Sequence, residues 1–224
     1  EQKRLLDHED QVMTTINEVL KKCAIPPFKH LYELFTVEQD FLCTFTELDH
    51  YPQRGPAHYW GPRFDIDIGT NFTWTKTKGQ KVFAYIKQDV PGFELLLEAL
   101  LSSKKNILLY VPRANSKTIQ ACVEMIICHA GHGVVSAALL NGRRLLLIPS
   151  QLEQSMLVYL LAKRRLVAAV NPRNNNVNYS KAIEFACTNV ELGKNVELFQ
   201  KKYAGFNSSK QIDDMLKSCA DIMT

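Results

Sequence analysis

Short apolar runs alternate with helical segments along the middle of this 224-residue chain. Continuous runs of leucine, isoleucine and valine are typical of strands that are buried on both faces of a sheet. Helices between such strands allow each strand to run in the same direction as the one before. The pattern therefore predicts an α/β fold, with a doubly wound parallel sheet and flanking helices. The predicted strands are Lys81–Ile86, Asn106–Val111, Val123–Cys128, Arg144–Ile148 and Leu166–Val170, and the helices between them are Gly92–Leu101, Gly133–Leu140 and Leu152–Lys163.

Other patterns lie on either side of this alternation. Near the start, apolar residues recur at steps of three and four until two prolines stop the pattern, which predicts an amphipathic helix. The segment Glu47–Trp74 is rich in proline, glycine and aromatic residues and has no period, so we interpret it as a linker between two lobes. The remaining predictions are a helix at Gln2–Lys22, a short helix at Phe28–Phe35, a buried strand at Asp40–Thr46, and helices from Tyr179 to Thr224 that break near Gly205.

Composition narrows the classes of function. Hydrophobic residues make up 46% of the chain and charged residues 22%, as in soluble globular proteins. The net charge of +4 is spread along the sequence without a basic stripe among aromatics, so nucleic acid is not predicted as a partner. The apolar runs are too short to predict insertion into a bilayer. The six cysteines form no CxxC pair, which favours a reducing compartment and predicts a cytoplasmic location.

One predicted turn has residues suited to chemistry. After the predicted strand Val123–Cys128, the sequence His-Ala-Gly-His-Gly leads directly into a helix. Gly131 and Gly133 permit positive φ and put no side chain in the way of a ligand, and a helix start offers unpaired N–H groups and a positive dipole end. This predicts an anion site suited to phosphate, to which His129 and His132 can donate hydrogen bonds. The alternatives are a tight turn with two incidental histidines, or a metal site, for which no nearby Cys, Asp or Glu completes the ligands.

A second strand-to-helix junction follows at Ile148–Gln154. In a parallel sheet this junction opens on the same edge as the glycine turn, where α/β folds bind ligands. Glu153 and Gln154 can exchange hydrogen bonds with sugar hydroxyls. The alternative is that Glu153 is an ordinary first-turn carboxylate, which stabilises the helix through its dipole.

Together the two junctions resemble the donor-site signature of family-1 glycosyltransferases, which have the GT-B fold. The likeness is to the carboxyl-terminal, donor-binding part of bacterial, macrolide-type members, and it extends from about Asp7 to Pro172. The family signature is H-x-G-x-(G/N), a small-residue helix ending in Gly, a strand ending in Pro, and an acidic residue followed by Gln. The matching segments are His129–Gly133, Leu139–Gly142, Leu145–Pro149 and Glu153–Gln154, with further likeness at Phe45–Tyr51, Tyr59–Pro62, Tyr85–Lys87 and Tyr110–Pro112.

The resemblance implies a role for each matching position. The implied donor is a UDP- or dTDP-sugar, which is bound without a metal or another cofactor. The implied contacts are His129, Gly131, His132, Gly133 and Val134 for the diphosphate, Glu153 and Gln154 for the sugar, and Tyr85, Lys87, Tyr110, Val111 and Pro112 for the base and its loop.

The resemblance also implies an activity, the transfer of a sugar to the hydroxyl of a small-molecule acceptor with inversion of the anomeric centre. One alternative is a non-catalytic nucleotide-sugar-binding module, or a fragment that needs a separate acceptor lobe. Another is a nucleotide-sugar epimerase of the same fold, which would need acid and base carboxylates around the sugar, where only Glu153 is placed.

The chain departs from the family signature in three places. Val134 stands where the family commonly has Ser or Thr, whose hydroxyl meets a phosphate. The connection between Val111 and Val123 is shorter than in the family. The lobe that carries the catalytic histidine is nearly absent, so no catalytic residue is predicted. The predicted domains are 1–46 as a remnant of the amino-terminal acceptor lobe, 47–78 as the interlobe linker, 79–175 as the Rossmann-like donor-binding domain, and 176–224 as carboxyl-terminal helices.

Overall fold

A computed structural model of the chain describes residues 2–51, 53–63, 74, 79–111 and 123–222. The contacts group the chain into two compact units. The first comprises Glu1–Phe41 and Met215–Thr224, and the second comprises Leu42–Asp214. The second unit contains the five-stranded sheet and is therefore the unit that positions the predicted site.

Five parallel strands form one sheet: β1 Lys81–Tyr85, β2 Asn106–Tyr110, β3 Met125–Cys128, β4 Arg144–Leu147 and β5 Ala168–Ala169. Their order across the sheet is β2-β1-β3-β4-β5. From β1 the chain moves to one edge to form β2, and it then builds β3, β4 and β5 on the other side. The direction of winding therefore reverses between β1 and β3. The α/β fold and the doubly wound parallel sheet that the alternation predicts are confirmed.

Helices connect these strands and cover the sheet. Each predicted helix of the alternating region begins within one residue of its observed start. Helix α2 packs against α5, and α3 packs against α6 and β4. The helices are α1 Gln2–Lys22, α2 Phe93–Ser102, α3 His132–Leu140, α4 Leu152–Lys163, α5 Tyr179–Thr188, α6 Val190–Lys202 and α7 Ser208–Ile222, with short 3₁₀ helices at Leu31–Phe35 and Thr46–Leu48.

The buried strand predicted at Asp40–Thr46 does not form. One isolated bridge joins Leu42 to Tyr59, and the 3₁₀ helix at Thr46–Leu48 follows. Phe45 is buried all the same, in a cluster of aromatic rings. The prediction is wrong because a short apolar run indicates burial and does not by itself require a neighbouring strand. The rings in contact with Phe45 are Phe199, Tyr203 and Phe206.

Two further predicted elements are longer than the observed ones. The helix predicted at Phe28–Phe35 is a 3₁₀ helix at Leu31–Phe35, where Glu33 accepts a hydrogen bond from a preceding backbone N–H and closes a single short turn. The strand predicted at Leu166–Val170 pairs only at Ala168–Ala169. The N–H of Leu166 bonds to the carbonyl of Leu161 at the end of α4, so the strand begins later than the apolar run.

The first part of the predicted linker is built into the second unit. Glu47 accepts hydrogen bonds from Lys202 Nζ at 2.5 Å and from Tyr203 Oη at 2.6 Å. The 3₁₀ helix that contains Glu47 packs against α4, and its last residue, Leu48, is fully buried. Further along, Gln211 Nε2 donates to the carbonyl of Trp60 at 2.9 Å. These contacts fix the segment against helices that flank the carboxyl edge of the sheet.

The first unit has its own internal contacts. The side chain of Asn17, in α1, makes two hydrogen bonds with the backbone of Phe28. Its Oδ1 accepts from the Phe28 N–H at 2.8 Å, and its Nδ2 donates to the Phe28 carbonyl at 3.0 Å. The helix ends just before Ala24, which adopts a left-handed φ of 56° and turns the chain back.

Among the described residues, no helix combines the length and the apolar composition that a membrane span requires.

Candidate functional site

The carboxyl ends of three strands are aligned at one edge of the sheet. Tyr85 at the end of β1 pairs with Cys128 at the end of β3, which in turn pairs with Leu147 at the end of β4. Because the winding reverses between β1 and β3, this edge contains the switch point at which such folds bind ligands. The glycine turn after β3 lies at the switch point, and the second junction lies next to it on the same edge.

The glycine turn differs from its prediction in one respect. Neither Gly131 nor Gly133 has a positive φ, and the left-handed residue is Ala130, with a φ of 67° and no exposed surface. A small buried side chain occupies a conformation that L-residues adopt rarely. A Cβ added to Gly131 would meet nothing within 4 Å. The glycine therefore keeps open the space in front of the helix, and its conformational freedom is not used.

Helix α3 begins at this open space. Gly131 is its N-cap residue, and within the described part of the chain no side chain caps the helix start. The first hydrogen bond of the helix runs from the N–H of Val135 to the carbonyl of Gly131 at 3.0 Å. The three preceding N–H groups, of His132, Gly133 and Val134, have no acceptor within the helix. They are available, with the positive end of the helix dipole, to hold an anion.

His129 lies beneath the turn and is only 5% exposed. Its Nε2 accepts a hydrogen bond from the backbone N–H of Lys87 at 2.7 Å. Burial is the main cause that lowers the pKa of His129 below its ordinary value, so the ring is neutral at pH 7. The imidazole therefore ties the loop after β1 to the turn after β3. The contact between His129 and a diphosphate stays a prediction.

His132 is the first residue of α3 and links the turn to the segment before the linker. Its Nε2 lies 2.8 Å from Thr44 Oγ1. Burial lowers the pKa of His132, the neighbouring His50 lowers it further, and Glu153 acts in the opposite direction. Since both histidines of the turn are neutral at pH 7, neither adds a positive charge to the start of α3.

The second junction presents polar side chains at the start of α4. Gln154 Oε1 accepts hydrogen bonds from the backbone N–H of Ser150 at 2.9 Å and from its hydroxyl at 3.1 Å. The side-chain carbonyl of Gln154 therefore stabilises the helix start, and the side-chain NH₂ group has two N–H donors. The side chain of Glu153 is 64% exposed, and its Oε1 lies 4.0 Å from His50 Nε2.

A buried carboxylate fixes the turn that carries His50. Asp49 accepts hydrogen bonds from the backbone N–H of Tyr51 at 3.0 Å, from Arg54 Nε at 2.9 Å and from the Tyr59 hydroxyl at 2.9 Å. Burial raises the pKa of Asp49, but these hydrogen bonds outweigh it and hold the pKa below its ordinary value. Asp49 therefore stays ionised, and its hydrogen bonds hold the conformation of the turn.

Two of the predicted base-side residues meet at the ends of their strands. The rings of Tyr85 and Tyr110 stack with centroids 5.5 Å apart and planes 10° apart. The rings of His129 and Tyr85 lie edge to face, with centroids 6.2 Å apart. Both tyrosines are partly exposed, and Lys87 is exposed just beyond β1. A flat aromatic surface thus adjoins the loop that His129 holds.

Other predicted residues are placed less completely. Val111 directly follows β2 and is partly buried, whereas Pro112 lies outside the described residues, together with the rest of the short connection from 112 to 122. Val134 is partly exposed in the first turn of α3 and offers only its backbone N–H. Within the described ranges, no group of three or more His, Cys, Asp and Glu side chains is arranged to hold a metal ion.

Two residues that the sequence analysis does not assign to the site, Thr44 and His50, lie close to two that it does, His132 and Glu153. Glu153 Oε1 lies 4.0 Å from His50 Nε2, His50 also lowers the pKa of His132, and Thr44 contacts His132. Thr44 and His50 are far from their partners in the chain, so no spacing within the sequence predicts these contacts. The one available signal is that His50 belongs to Phe45–Tyr51, a segment that resembles the family.

A cleft of about 510 Å³ adjoins the second junction. It lies between the start of α4 and the residues that follow β5, and its walls combine apolar and polar side chains. Neither Glu153 nor Gln154 lines it. The lining residues are Pro149, Ser150, Gln151, Leu152, Ser155, Val158, Tyr159, Ala169, Val170, Asn171 and Arg173.

Comparison with known proteins gives a result only at the level of structure. No protein-family model matches the sequence, and no curated protein matches it either. Among solved structures, the chain is similar to the glycosyltransferase of kitacinnamycin, with a TM-score of 0.73 at 10% identity, over 97% of this chain and 66% of that chain. It is also similar to CalG4, the calicheamicin glycosyltransferase, with a TM-score of 0.67 at 11% identity, over 93% of this chain and 58% of that chain.

A third similar structure was determined with a nucleotide. This is the glycosyltransferase VinC in complex with dTDP, with a TM-score of 0.52 at 11% identity, over 64% of this chain and 42% of that chain. The chain thus spans less than two thirds of the length of each of the three structures. Identities this low are informative about fold alone. The chain has the Rossmann-like α/β fold of the carboxyl-terminal part of these glycosyltransferases.

Proposed function

We propose that this chain binds a UDP- or dTDP-sugar and forms the donor-binding part of an inverting, GT-B-type hexosyltransferase. The observation that carries the proposal is the start of α3, which no side chain caps and which faces open space at the switch point. Glu153 lies 4.0 Å from His50, and both residues influence the pKa of His132 in the first turn of α3. The similarity in fold to glycosyltransferases supports it, as does the dTDP bound in one of them.

The diphosphate lies, in this proposal, at the start of α3. The backbone N–H groups of Gly131, His132, Gly133 and Val134 hold its oxygens, and the helix dipole favours its charge. These donors follow directly on the buried residues His129 and Ala130, which hold the turn in place, so they need no reorganisation as negative charge builds on the leaving diphosphate. His129 keeps the turn in register with the loop after β1 and is the side chain assigned to the diphosphate.

The sugar extends from the diphosphate towards the second junction. Glu153 accepts hydrogen bonds from its hydroxyls, and the free amide group of Gln154 donates to them. The base lies beside the stacked rings of Tyr85 and Tyr110, with Lys87, Val111 and Pro112 in the adjoining loops. No metal takes part. We assign the 79–175 range to donor binding, 1–46 to a remnant of the acceptor lobe, 47–78 to the linker and 176–224 to supporting helices, in a cytoplasmic protein.

The reaction is a single displacement at the anomeric carbon. A base takes the proton of an acceptor hydroxyl, and the oxygen attacks the anomeric carbon from the face opposite the diphosphate. The bond to the diphosphate oxygen breaks, and the electron pair leaves with the nucleoside diphosphate, whose charge the turn stabilises. The acceptor is a small molecule with a free hydroxyl. No residue of this chain is assigned as the base.

A thermal-shift experiment tests donor binding. UDP or dTDP at about a hundredfold its Kd should add about 2.7 kcal/mol to the free energy of unfolding, which is a rise in Tm of roughly 5–10 °C for a chain of this length. The measurement is made with EDTA present, and thymidine and uridine serve as controls without phosphate. A Tm that is unchanged by millimolar UDP and dTDP would rule out donor binding.

A matched pair of glycine substitutions locates the binding. A methyl group at Gly131 meets no protein atom within 4 Å, and its φ of −63° suits alanine, so Gly131→Ala should fold with a loss of about 1 kcal/mol or less. The added methyl occupies the space in front of α3, so the nucleotide-induced shift should shrink. Gly205→Ala is the control, because its Cβ also meets nothing within 4 Å and it lies beyond α6. Binding without transfer to any hydroxyl acceptor would favour a non-catalytic module.

A further inference from the structure

His50 contains a polar atom that the structure leaves without a partner. Its side chain is 20% exposed, but its Nε2 is fully buried and has no hydrogen-bond partner among the described residues. Buried ring nitrogens are nearly always hydrogen bonded, because an unpaired one forfeits the bond that it would make with water. Its placement beside two predicted site residues indicates that this nitrogen has a partner in another state of the site.

Glu153 is the group that His50 Nε2 can reach. The two atoms are 4.0 Å apart, beyond the range of about 2.7–3.2 Å for an N–H···O hydrogen bond. The Glu153 side chain is 64% exposed and lies on the first turn of α4, so a change of rotamer brings its carboxylate onto His50. The other neighbour, His132, already uses its Nε2 with Thr44.

The turn that carries His50 is held at several points. Asp49 accepts hydrogen bonds from three residues, and Glu47, on the other side of Leu48, accepts one from Lys202 in α6. The hydrogen bond between Thr44 and His132 ties the same segment to α3. A fixed donor therefore faces an adjustable carboxylate.

We infer that His50 is a positioning residue for Glu153. Its Nε2–H donates a hydrogen bond to one carboxylate oxygen when the donor sugar is bound, and the other oxygen then accepts from the sugar hydroxyls. The inference rests on the proposed function, because it requires Glu153 to contact the sugar. His50 acts through Glu153 and does not contact the diphosphate, so its effect is confined to ligands that carry a sugar.

Calorimetric titration of His50 variants with dTDP-glucose, UDP-glucose, dTDP and UDP tests this role. His50→Ala should weaken the nucleotide sugar by about threefold to tenfold, the worth of one hydrogen bond, and leave the bare nucleotide unchanged. His50→Gln should restore most of the affinity, because its amide nitrogen can occupy the place of Nε2. His58→Ala is the matched control, since His58 is an exposed histidine in the same region.

A double-mutant cycle separates positioning from independent contact. In a Glu153→Ala background, His50→Ala should cause no further loss of nucleotide-sugar affinity, because the carboxylate that it positions is gone. A full additional loss would mean that His50 acts without Glu153 and would overturn the inference. A merely structural role for His50 would weaken both classes of ligand, and thermal melts of each variant identify that case.

The outcomes also distinguish this inference from the function on which it rests. A wild-type chain that binds neither nucleotide nor nucleotide sugar contradicts the proposed function and the inference together. A wild-type chain that binds both, with a His50→Ala variant that binds dTDP-glucose and UDP-glucose equally well, contradicts the inference alone.

Discussion

The two strand-to-helix junctions share a sheet edge but differ in how they are held. Around the glycine turn His129 is 5% exposed and Ala130 is fully buried, and the turn is hydrogen bonded to the loop after β1. At the second junction Leu152 is 78% exposed, and the Glu153 side chain is 64% exposed. The glycine turn is thus anchored in the core, whereas the second junction presents exposed side chains that can be substituted at little cost in stability.

The cause lies in what covers each helix. Helix α3 packs against both β4 and α6, and every residue from Val135 to Leu139 is buried. Helix α4 buries one face, at Leu157 and Leu161 among others, and leaves its first turn open. If the proposed function holds, we expect the phosphate geometry to be constant and the sugar selectivity to depend on a few exposed residues at the start of α4.

The largest difference between the junctions should appear in stability. Leu139→Ala, in α3, removes a fully buried side chain and should lower the free energy of unfolding by about 2–5 kcal/mol. Leu152→Ala, in α4, is the same substitution at a position that is 78% exposed and should change it by less than about 0.5 kcal/mol. Urea unfolding of both variants gives the comparison, and equal losses would show that the two junctions are not held differently.

The next effect concerns the phosphate side. His129→Ala should weaken the bare nucleotide and the nucleotide sugar alike, by roughly 1.5–3 kcal/mol for the loss of a hydrogen bond to a charged group. It also removes the acceptor for the N–H of Lys87. Calorimetry with both ligands measures the effect. His129→Gln can accept from Lys87, so rescue by Gln would assign the effect to the loop, and two unchanged Kd values would exclude any role for His129 in donor binding.

A smaller and more selective effect is expected on the sugar side. Glu153→Ala should weaken only the nucleotide sugar, by about 1 kcal/mol, because water competes for an exposed carboxylate. Glu153→Gln keeps the size of the side chain and removes the charge, and it should fall between Ala and the wild type. The two Kd values for dTDP and dTDP-glucose are compared for each variant. Equal weakening of both ligands would make Glu153 an ordinary first-turn carboxylate.

The smallest effect is a pH dependence of stability at the glycine turn. Burial holds the pKa values of His129 and His132 below 6.5 in the folded state. The unfolded chain then binds more protons, so the stabilisation is complete above about pH 7 and falls as the pH drops through 6.5 towards 5. The lowered pKa values of Glu47 and Asp49 act below this window, where their stabilisation is lost as the pH falls.

Urea unfolding between pH 5 and pH 8 measures this dependence. His132→Gln should flatten the slope by less than about 1 kcal/mol per pH unit, whereas His58→Gln, at an exposed position, should leave it unchanged. A wild-type stability that is constant from pH 5 to pH 8 would contradict the burial of both histidines.

Much of the fold could be predicted because its determinants are local. The buried runs that became β1, β3 and β4 have no polar alternation, and the helices between them have clear starts, so the parallel sheet follows from the sequence. The strand predicted at Asp40–Thr46 failed because its one buried apolar residue, Phe45, packs against aromatic rings of α6 and the loop after it. The same local pattern is compatible with either form of burial.

The sequence by itself determined the elements of the sheet and the free N–H groups of the glycine turn, since a helix that follows such a turn leaves the N–H groups of its first turn without acceptors. Only the tertiary structure decided which side chains surround that turn. The bond between His129 and Lys87 and the placement of His50 beside Glu153 join residues that are distant in the chain. Such contacts depend on how strands and helices pack, and no local periodicity encodes them.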